Sequence, residues 1–207
     1  MGRLLTISDI HGFSDALGLL LKAAKYNSKE DTLVLLGDYI NKGPASDKTL
    51  KRIKKLREKG AIALLGNNEL RVLRTKPKEY SDWFKMFKKL PVYYKHDQYI
   101  FSHAGFRQGV PLEDQSIDDM TGYHKEWFPQ AQFEDMITIH GHTPTFRLGT
   151  KRGHIHIEDQ EICIDTGAGH KRYLSLFDIT NECVYRIDVM KLDKIEILNV
   201  RVKVKTH

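Results

Sequence analysis

Three apolar runs early in the chain each stop at a polar corner, and the corners recur at intervals of roughly thirty residues. Leu33-Val34-Leu35-Leu36 runs into Gly37-Asp38, the run after Arg3 ends in Ser8-Asp9-Ile10-His11, and 61–65 ends in Gly66-Asn67-Asn68-Glu69. Short aliphatic runs closed by turn residues read as buried strands. Between them, 13–26 carries Leu17, Leu20, Leu21 and Ala24 at helical spacing, and 44–59 reads as a helix opened by Pro44 and closed by Gly60. A strand–helix–strand repeat of this length predicts right-handed crossovers and parallel neighbours. The C-terminal strand ends then share one sheet edge, the edge on which α/β sheets bind ligands. Topology alone brings Asp9, Asp38 and Asn67 together.

A buried carboxylate such as Asp38 costs folding free energy unless a cation lies against it. Two later strand-like runs also end in donors, Ser102-His103-Ala104-Gly105 and Gly141-His142-Thr143. Asp9 and His11, two apart in a turn, can share one ion. Six oxygen and nitrogen donors, Asp9, His11, Asp38, Asn67, His103 and His142, therefore point to a two-metal site. Carboxylate, amide and imidazole suit manganese, iron or zinc, with manganese the leading expectation.

The remainder supplies the scaffold. Residues 70–90 read as helical with a break near Pro77, and Trp83, Phe84 and Phe87 give that stretch an apolar face. Residues 91–94 and 99–102 form a hairpin, 118–128 a helix and 136–140 a strand. From 153 onward the pattern is short strands at 154–156, 161–165, 173–178, 183–189 and 194–205. An α/β part followed by a β-rich part predicts an α/β (α+β) fold: a sandwich of two mixed β-sheets flanked by helices. With 207 residues, 41% hydrophobic, one domain over 1–207 is expected, with 190–207 as a C-terminal strand extension. No apolar run is long enough to span a membrane, and no export signal is expected. Cys163 and Cys183 are read as reduced, buried residues of a cytoplasmic protein, a monomer or weak dimer. The net charge of +6 favours an anionic substrate, but much of the excess lies in helix-like stretches such as 48–55, and no nucleic-acid motif accompanies it.

The ordered set Asp-x-His, Gly-Asp-x-x-x-x-Gly, Gly-Asn-x-Glu, His-Ala-Gly and Gly-His-Thr resembles the calcineurin-like metallophosphoesterases, above all the bacterial and phage branch of the phosphoprotein phosphatases. Val110-Pro111-Leu112-Glu113 and Ile164-Asp165-Thr166-Gly167-Ala168 extend the match, which covers roughly 3–180. The resemblance implies that Asp9 and His11 hold a first divalent ion, that Asp38 bridges, and that Asn67, His103 and His142 complete a second. It implies hydrolysis of phosphate esters by a metal-bound hydroxide, with a phosphorylated protein or a nucleotide as substrate.

The departures are specific. The family pattern has Asp, Arg and His where this chain has Asn41, Lys42 and Asn68. The resemblance makes that His the donor of a proton to the leaving oxygen and that Asp its orienter. Both are amides here, and an amide donates a hydrogen bond without releasing a proton. Losing general acid catalysis costs about 10²–10⁴ in rate. The loss falls on poor leaving groups such as a serine alkoxide and spares aryl phosphates and nucleotide polyphosphates. Lys42 and Lys125 stand at phosphate-clamp positions where Arg is usual, and Leu65 at another; lysine carries the charge without the bidentate fork. The leading expectation is a serine/threonine phosphoprotein phosphatase-like phosphoesterase; the alternatives are a dinucleoside polyphosphate (diadenosine tetraphosphate) hydrolase and a slow phosphate-binding pseudo-phosphatase. His170 is the first candidate for a replacement acid, with His140 and His124 behind it.

Overall fold

The computed structural model describes residues 2–123, 130, 133 and 136–202. Strand β1 (Leu4–Ile7) leads through helix α1 (Ser14–Ala23) to β2 (Thr32–Leu35), and helix α2 (Ser46–Glu58) leads to β3 (Ile62–Ala63). Helix α3 (Asn67–Thr75) follows directly, then a 3-10 turn over Lys78–Trp83 and the short α4 (Phe84–Phe87). The hairpin β4 (Tyr93–His96) and β5 (Tyr99–Ser102) comes next, then α5 (Ile117–Thr121), β6 (Ile137–His140), β7 (His156–Glu158) and β8 (Glu161–Cys163). Strands β9 (Tyr173–Asp178), β10 (Cys183–Asp188) and β11 (Ile195–Asn199) end the described chain.

Two mixed sheets result. One has the order β11-β10-β9-β1-β2-β3, the other β4-β5-β6-β8-β7. In the first, β1, β2 and β3 are parallel, with Leu5 opposite Leu33 and Leu35 opposite Ala63, as strand–helix–strand crossovers require. β9 then returns antiparallel beside β1. In the second sheet β5, β6 and β8 are parallel and the outer strands antiparallel.

Side-chain alternation divides the core. Leu5, Ile7, Leu33 and Leu35 face a helical layer and pack with Leu17 and Leu20 of α1, Leu50 and Ile53 of α2, and Leu70 of α3. Leu4 and Val34, on the opposite face, join Phe101, Ile139, Ile162, Phe177 and Val184 in a second cluster between the sheets. Burying each such side chain contributes about 1.5–3 kcal/mol. Phe87 is fully buried, and Trp83 and Phe84 pack on the first cluster, so the aromatic face of that segment is core. Cys163 and Cys183 are buried and unpaired. No helix among the described residues is long and apolar enough to cross a membrane.

Several boundaries differ from expectation. Helix α2 begins at Ser46, not Pro44, because 41–45 is committed to a tight loop: Ser46 Oγ accepts the Asn41 N–H (2.9 Å), and Asn41 and Lys42 have φ of 68° and 63°. Strand β3 is two residues long, since Leu65 turns away to donate its N–H to the Pro91 carbonyl (2.9 Å). The break expected near Pro77 in the 70–90 stretch is present, with Lys76 left-handed (φ 50°) before it. The strand expected at 154–156 sits at His156–Glu158, and the tail strand stops at Asn199, with Val200 and Val202 packed on the inter-sheet cluster. Of the helix expected at 118–128 and the tail beyond it, 124–128 and 203–205 lie outside the described residues.

Candidate metal centre

Strand direction builds the centre. Asp9 and His11 follow β1, Asp38 follows β2, and Asn67 follows β3 on one sheet; His103 follows β5 and His142 follows β6 on the other. The corners are sharply bent. Asp9, His11, Asp38 and His142 all have positive φ, at 52°, 47°, 55° and 64°. Asp, Asn and His tolerate this region better than other side chains, and such backbone strain, of order 1–3 kcal/mol per residue, concentrates at functional sites. Gly37 (φ 98°) opens the Asp38 corner; a Cβ there would stand 2.6 Å from the Gly66 nitrogen and 3.1 Å from His103 Nδ1.

The six expected donors converge, and all but half-buried His142 are buried. His11 Nε2 lies 3.6 Å from Asp9 Oδ1 and 3.6 Å from Asp38 Oδ2. On the far side, His103 Nε2 lies 3.5 Å from Asp38 Oδ1 and 3.0 Å from Asn67 Oδ1, which in turn is 3.1 Å from His142 Nδ1. Each Asp38 oxygen thus faces one imidazole, the disposition of a carboxylate shared between two sites. The second oxygen of Asp9 is fully used, accepting the Ser8 hydroxyl (2.5 Å) and the His142 N–H (2.9 Å), so Oδ1 is the one left for coordination.

The donor chemistry fits cations. His11 and His103 each donate Nδ1–H to a backbone carbonyl, Ile40 (3.0 Å) and Leu36 (2.8 Å). That bond fixes the tautomer and turns a bare Nε2 lone pair inward, as such carbonyl contacts do for metal-ligating histidines. The Asn67 oxygen faces two imidazole nitrogens, an arrangement a positive ion satisfies. Turned over, the same amide would donate to Asp38 Oδ2 (3.1 Å) and His103 Nε2 (3.0 Å). Asp9, His11 and Asp38 offer ligand atoms within 4.8 Å of one another. A cation is already drawn there: Lys42 Nζ donates to His11 Nε2 at 3.1 Å.

Protonation favours the same reading. Burial alone would raise the Asp38 pKa, but the positive charge that His103 and His11 can carry, together with the Asn68 N–H, outweighs it and brings the carboxyl below its ordinary value. Burial, then His103 beside it, pushes His142 down to about 4, so its ring is neutral and free to coordinate. Asp165, after β8, is raised well above its ordinary value by burial and by Asp9. Helix α3 begins at Asn67 rather than after the motif, so Asn68 N–H is one of its unpaired N-terminal donors; it donates to Asp38 Oδ1 at 2.9 Å. The fully buried Glu69 carboxylate accepts the N–H groups of Asp38 (2.9 Å), Tyr39 (2.9 Å) and Gly66 (3.2 Å), tying the Asp38 corner to the start of α3.

A cavity of about 570 Å³ opens over Asp38, Asn67, Asn68 and His142. Lys42 and His170 line it as expected, and so do Arg71 and Arg147. Sequence reading missed both arginines. Arg71 follows Asn67 by one helical turn, a spacing that would have found it once α3 was started at Asn67. Arg147 reaches the cavity through a 3-10 turn with no sequence signature. His170 is held below its ordinary pKa by burial and then by Lys42, Arg147 and Arg172, which leaves it neutral and poorly placed to act as an acid. His140 turns its two nitrogens to the Gly141 carbonyl (3.1 Å) and Glu161 (2.8 Å) instead of the cavity. Lys125 and His124 lie outside the described residues. Asn41 and Asn68 are hydrogen-bonded to each other, Nδ2 of Asn41 to Oδ1 of Asn68 at 2.7 Å, and Asn68 Nδ2 donates to Asp38 Oδ2.

Residues 2–175 match the sequence family described as calcineurin-like phosphoesterase. The chain belongs to that family. Its members work with a dinuclear divalent metal centre. Symmetrical bis(5'-nucleosyl)-tetraphosphatase of Vibrio parahaemolyticus serotype O3:K6 is 30% identical over 124 residues, 52% of this chain and 46% of that protein. The enzyme of the same name from Aeromonas salmonicida is 42% identical over 67 residues, 32% of this chain and 24% of the relative. The matches thus span less than half the length of these curated relatives. A solved structure provisionally named diadenosine tetraphosphatase aligns with a TM-score of 0.74 at 23% identity, covering 90% of this chain and 93% of the other. A cold-active protein-tyrosine phosphatase of a Shewanella species aligns at 0.58 and 17%, covering 96% and 81%. At those identities the likeness establishes the metallophosphoesterase fold.

Proposed function

We propose that this phosphoesterase hydrolyses the phosphoanhydride chain of a dinucleoside polyphosphate, with diadenosine tetraphosphate as the reference substrate. The observation that carries the reading is the Asn41–Asn68 amide pair beside Asp38. Where a proton donor would assist a leaving alkoxide, this chain has a hydrogen-bond donor only. The two imidazoles among the described residues lining the cavity, His142 and His170, are both held below their ordinary pKa. Such a site suits a leaving group that departs as a stable anion, and a nucleoside diphosphate is one.

The wall charges agree. Lys42, Arg71 and Arg147 ring a floor carrying the Asp38 carboxylate, with buried Asp9 close by it. That floor repels a polyphosphate until cations neutralise it. Held by Asp9, His11 and Asp38 on one side and by Asp38, Asn67, His103 and His142 on the other, two divalent cations would supply Lewis acidity to water and to the phosphoryl oxygens. Arg71 and Arg147 present planar forks to phosphate oxygens, and Lys42 a point charge. The relatives named tetraphosphatases support the same substrate class.

The test compares kcat/KM for diadenosine tetraphosphate and a phosphoserine peptide with manganese added. The expected preference for the dinucleotide is at least about 100-fold, the lower end of what an absent general acid costs. Equal or better hydrolysis of the peptide overturns the proposal. Turnover of neither, by protein that binds the ions, identifies a phosphate-binding pseudo-phosphatase.

A further inference from the structure

The amide pair is part of a longer chain of hydrogen bonds. Tyr80 Oη donates to Asn41 Oδ1 at 3.1 Å, Asn41 Nδ2 donates to Asn68 Oδ1 at 2.7 Å, and Asn68 Nδ2 donates to Asp38 Oδ2. Its direction is fixed from one end. An ionised carboxylate can only accept, so Asn68 must turn its NH2 to Asp38 and its oxygen to Asn41. Asn41 must then offer its NH2 to Asn68, which leaves its oxygen facing Tyr80. Among the described residues the phenol O–H of Tyr80 completes the row. Reversing either amide would set oxygen against oxygen or NH2 against NH2.

The terminal phenol is well held. Tyr80 sits in the 3-10 turn Lys78–Trp83, half-buried, with its ring packed on the helical core cluster. Asn41 is anchored through its backbone, whose N–H donates to Ser46 Oγ at 2.9 Å. Three segments distant in sequence, the Asp38 corner, the start of α3 and the turn after Pro77, are thereby aligned on one carboxylate oxygen.

We propose that Tyr80 is a positioning residue that anchors the far end of the Asn41–Asn68 relay, whose polarity Asp38 sets, so that the Asn68 NH2 is held towards Asp38 and the cavity as a fixed donor for a departing oxyanion. The relay sets orientation and carries no proton. This deepens the functional proposal above and rests on it for the identity of the oxyanion, although the polarity itself follows from the hydrogen bonds alone. It has a counter-intuitive consequence. Asn41→Asp, which restores the family residue, places a carboxylate against the Asn68 oxygen; the Asn68 amide must turn over and set its oxygen against Asp38. The single change should impair the site. Paired with Asn68→His it should not, because an imidazole can donate to the introduced carboxylate on one side.

The experiment uses the full chain with Tyr80→Phe, Asn41→Asp and Asn41→Asp/Asn68→His. Side-chain amide signals of ¹⁵N-labelled, metal-free protein are recorded alongside kcat and KM for diadenosine tetraphosphate and 4-nitrophenyl phosphate with manganese. In Tyr80→Phe the Asn41 and Asn68 NH2 resonances should shift or broaden, and kcat should fall about 3–10-fold with KM within about twofold, the scale of one net hydrogen bond. Asn41→Asp should fall below wild type by about tenfold or more, and the double variant should exceed it. Unmoved amide signals in Tyr80→Phe, or an Asn41→Asp variant as active as wild type, overturn the relay. If wild type turns over neither substrate, the functional proposal fails while the amide signals still decide the polarity.

Discussion

Replacing Glu69 tests how the centre is held. Its buried carboxylate is the acceptor for three backbone N–H groups, from Asp38 (2.9 Å), Tyr39 (2.9 Å) and Gly66 (3.2 Å). Glu69→Ala leaves all three donors buried without a partner. At about 1–3 kcal/mol for each unsatisfied group, reduced where water enters the hole, the loss is about 3–6 kcal/mol. A domain stable by about 5–15 kcal/mol would lose a large share of its margin. Glu69→Gln keeps one oxygen, which serves Asp38 and Gly66, and sets its NH2 against the Tyr39 N–H; that variant should lose about 1–3 kcal/mol. Burial and then Asp38 raise the Glu69 pKa to about 8 from 4.5. The folded state therefore binds a proton that the unfolded chain releases, and this contribution to stability declines as pH rises from 4.5 towards 8. The wild-type margin over the glutamine variant should shrink across that range. Urea unfolding of metal-free protein, followed by circular dichroism at several pH values, measures all three terms. An alanine variant within about 0.5 kcal/mol of wild type, or a glutamine variant as weak as alanine, would refute the argument.

Asp38→Asn removes the oxygen shared between the two halves, and calorimetric titration with manganese should show a loss of affinity of at least about 10–100-fold, the scale seen even for changes to groups that only support a ligand. His142, held at about 4 against 6.5, stays neutral in the folded state where the unfolded chain protonates, so metal-free protein should lose stability as pH falls from 6.5 to 4, and His142→Asn should flatten that slope in thermal melts. Gly37→Ala forces a side chain at φ 98° within 2.6 Å of the Gly66 nitrogen and should cost about 1–3 kcal/mol of stability, read as a lower urea midpoint. Arg71→Ala and Arg147→Ala should each raise KM for the dinucleotide about tenfold while leaving manganese affinity unchanged, as loss of a charge-assisted phosphate contact predicts.

The parallel half of the first sheet and the convergence of six donors are legible in the sequence because both follow from local patterns at a fixed repeat. Pairings that span the chain are not. β9 lies beside β1 through antiparallel contacts such as Thr6 opposite Phe177, and no local signal marks that return. The start of α3 is hidden because Asn67 and Asn68 read as turn residues, although Glu69 stands at the position from which it caps Gly66 (3.2 Å). That misplacement hid Arg71 as well. Tyr80 joins Asn41 across 39 residues, and a half-buried tyrosine on an apolar stretch looks like core until its hydroxyl is followed.

The left-handed corners carry a lesson about motifs. Asp, Asn and His are among the residues that bind divalent cations and, glycine aside, also those that bend most readily at positive φ, so two unrelated pressures write the same letters. A descendant that abandoned catalysis would still keep much of the spelling to preserve its loops. Asn41 shows the separation within this chain: at φ 68° it retains the bend that an aspartate would make while surrendering the charge.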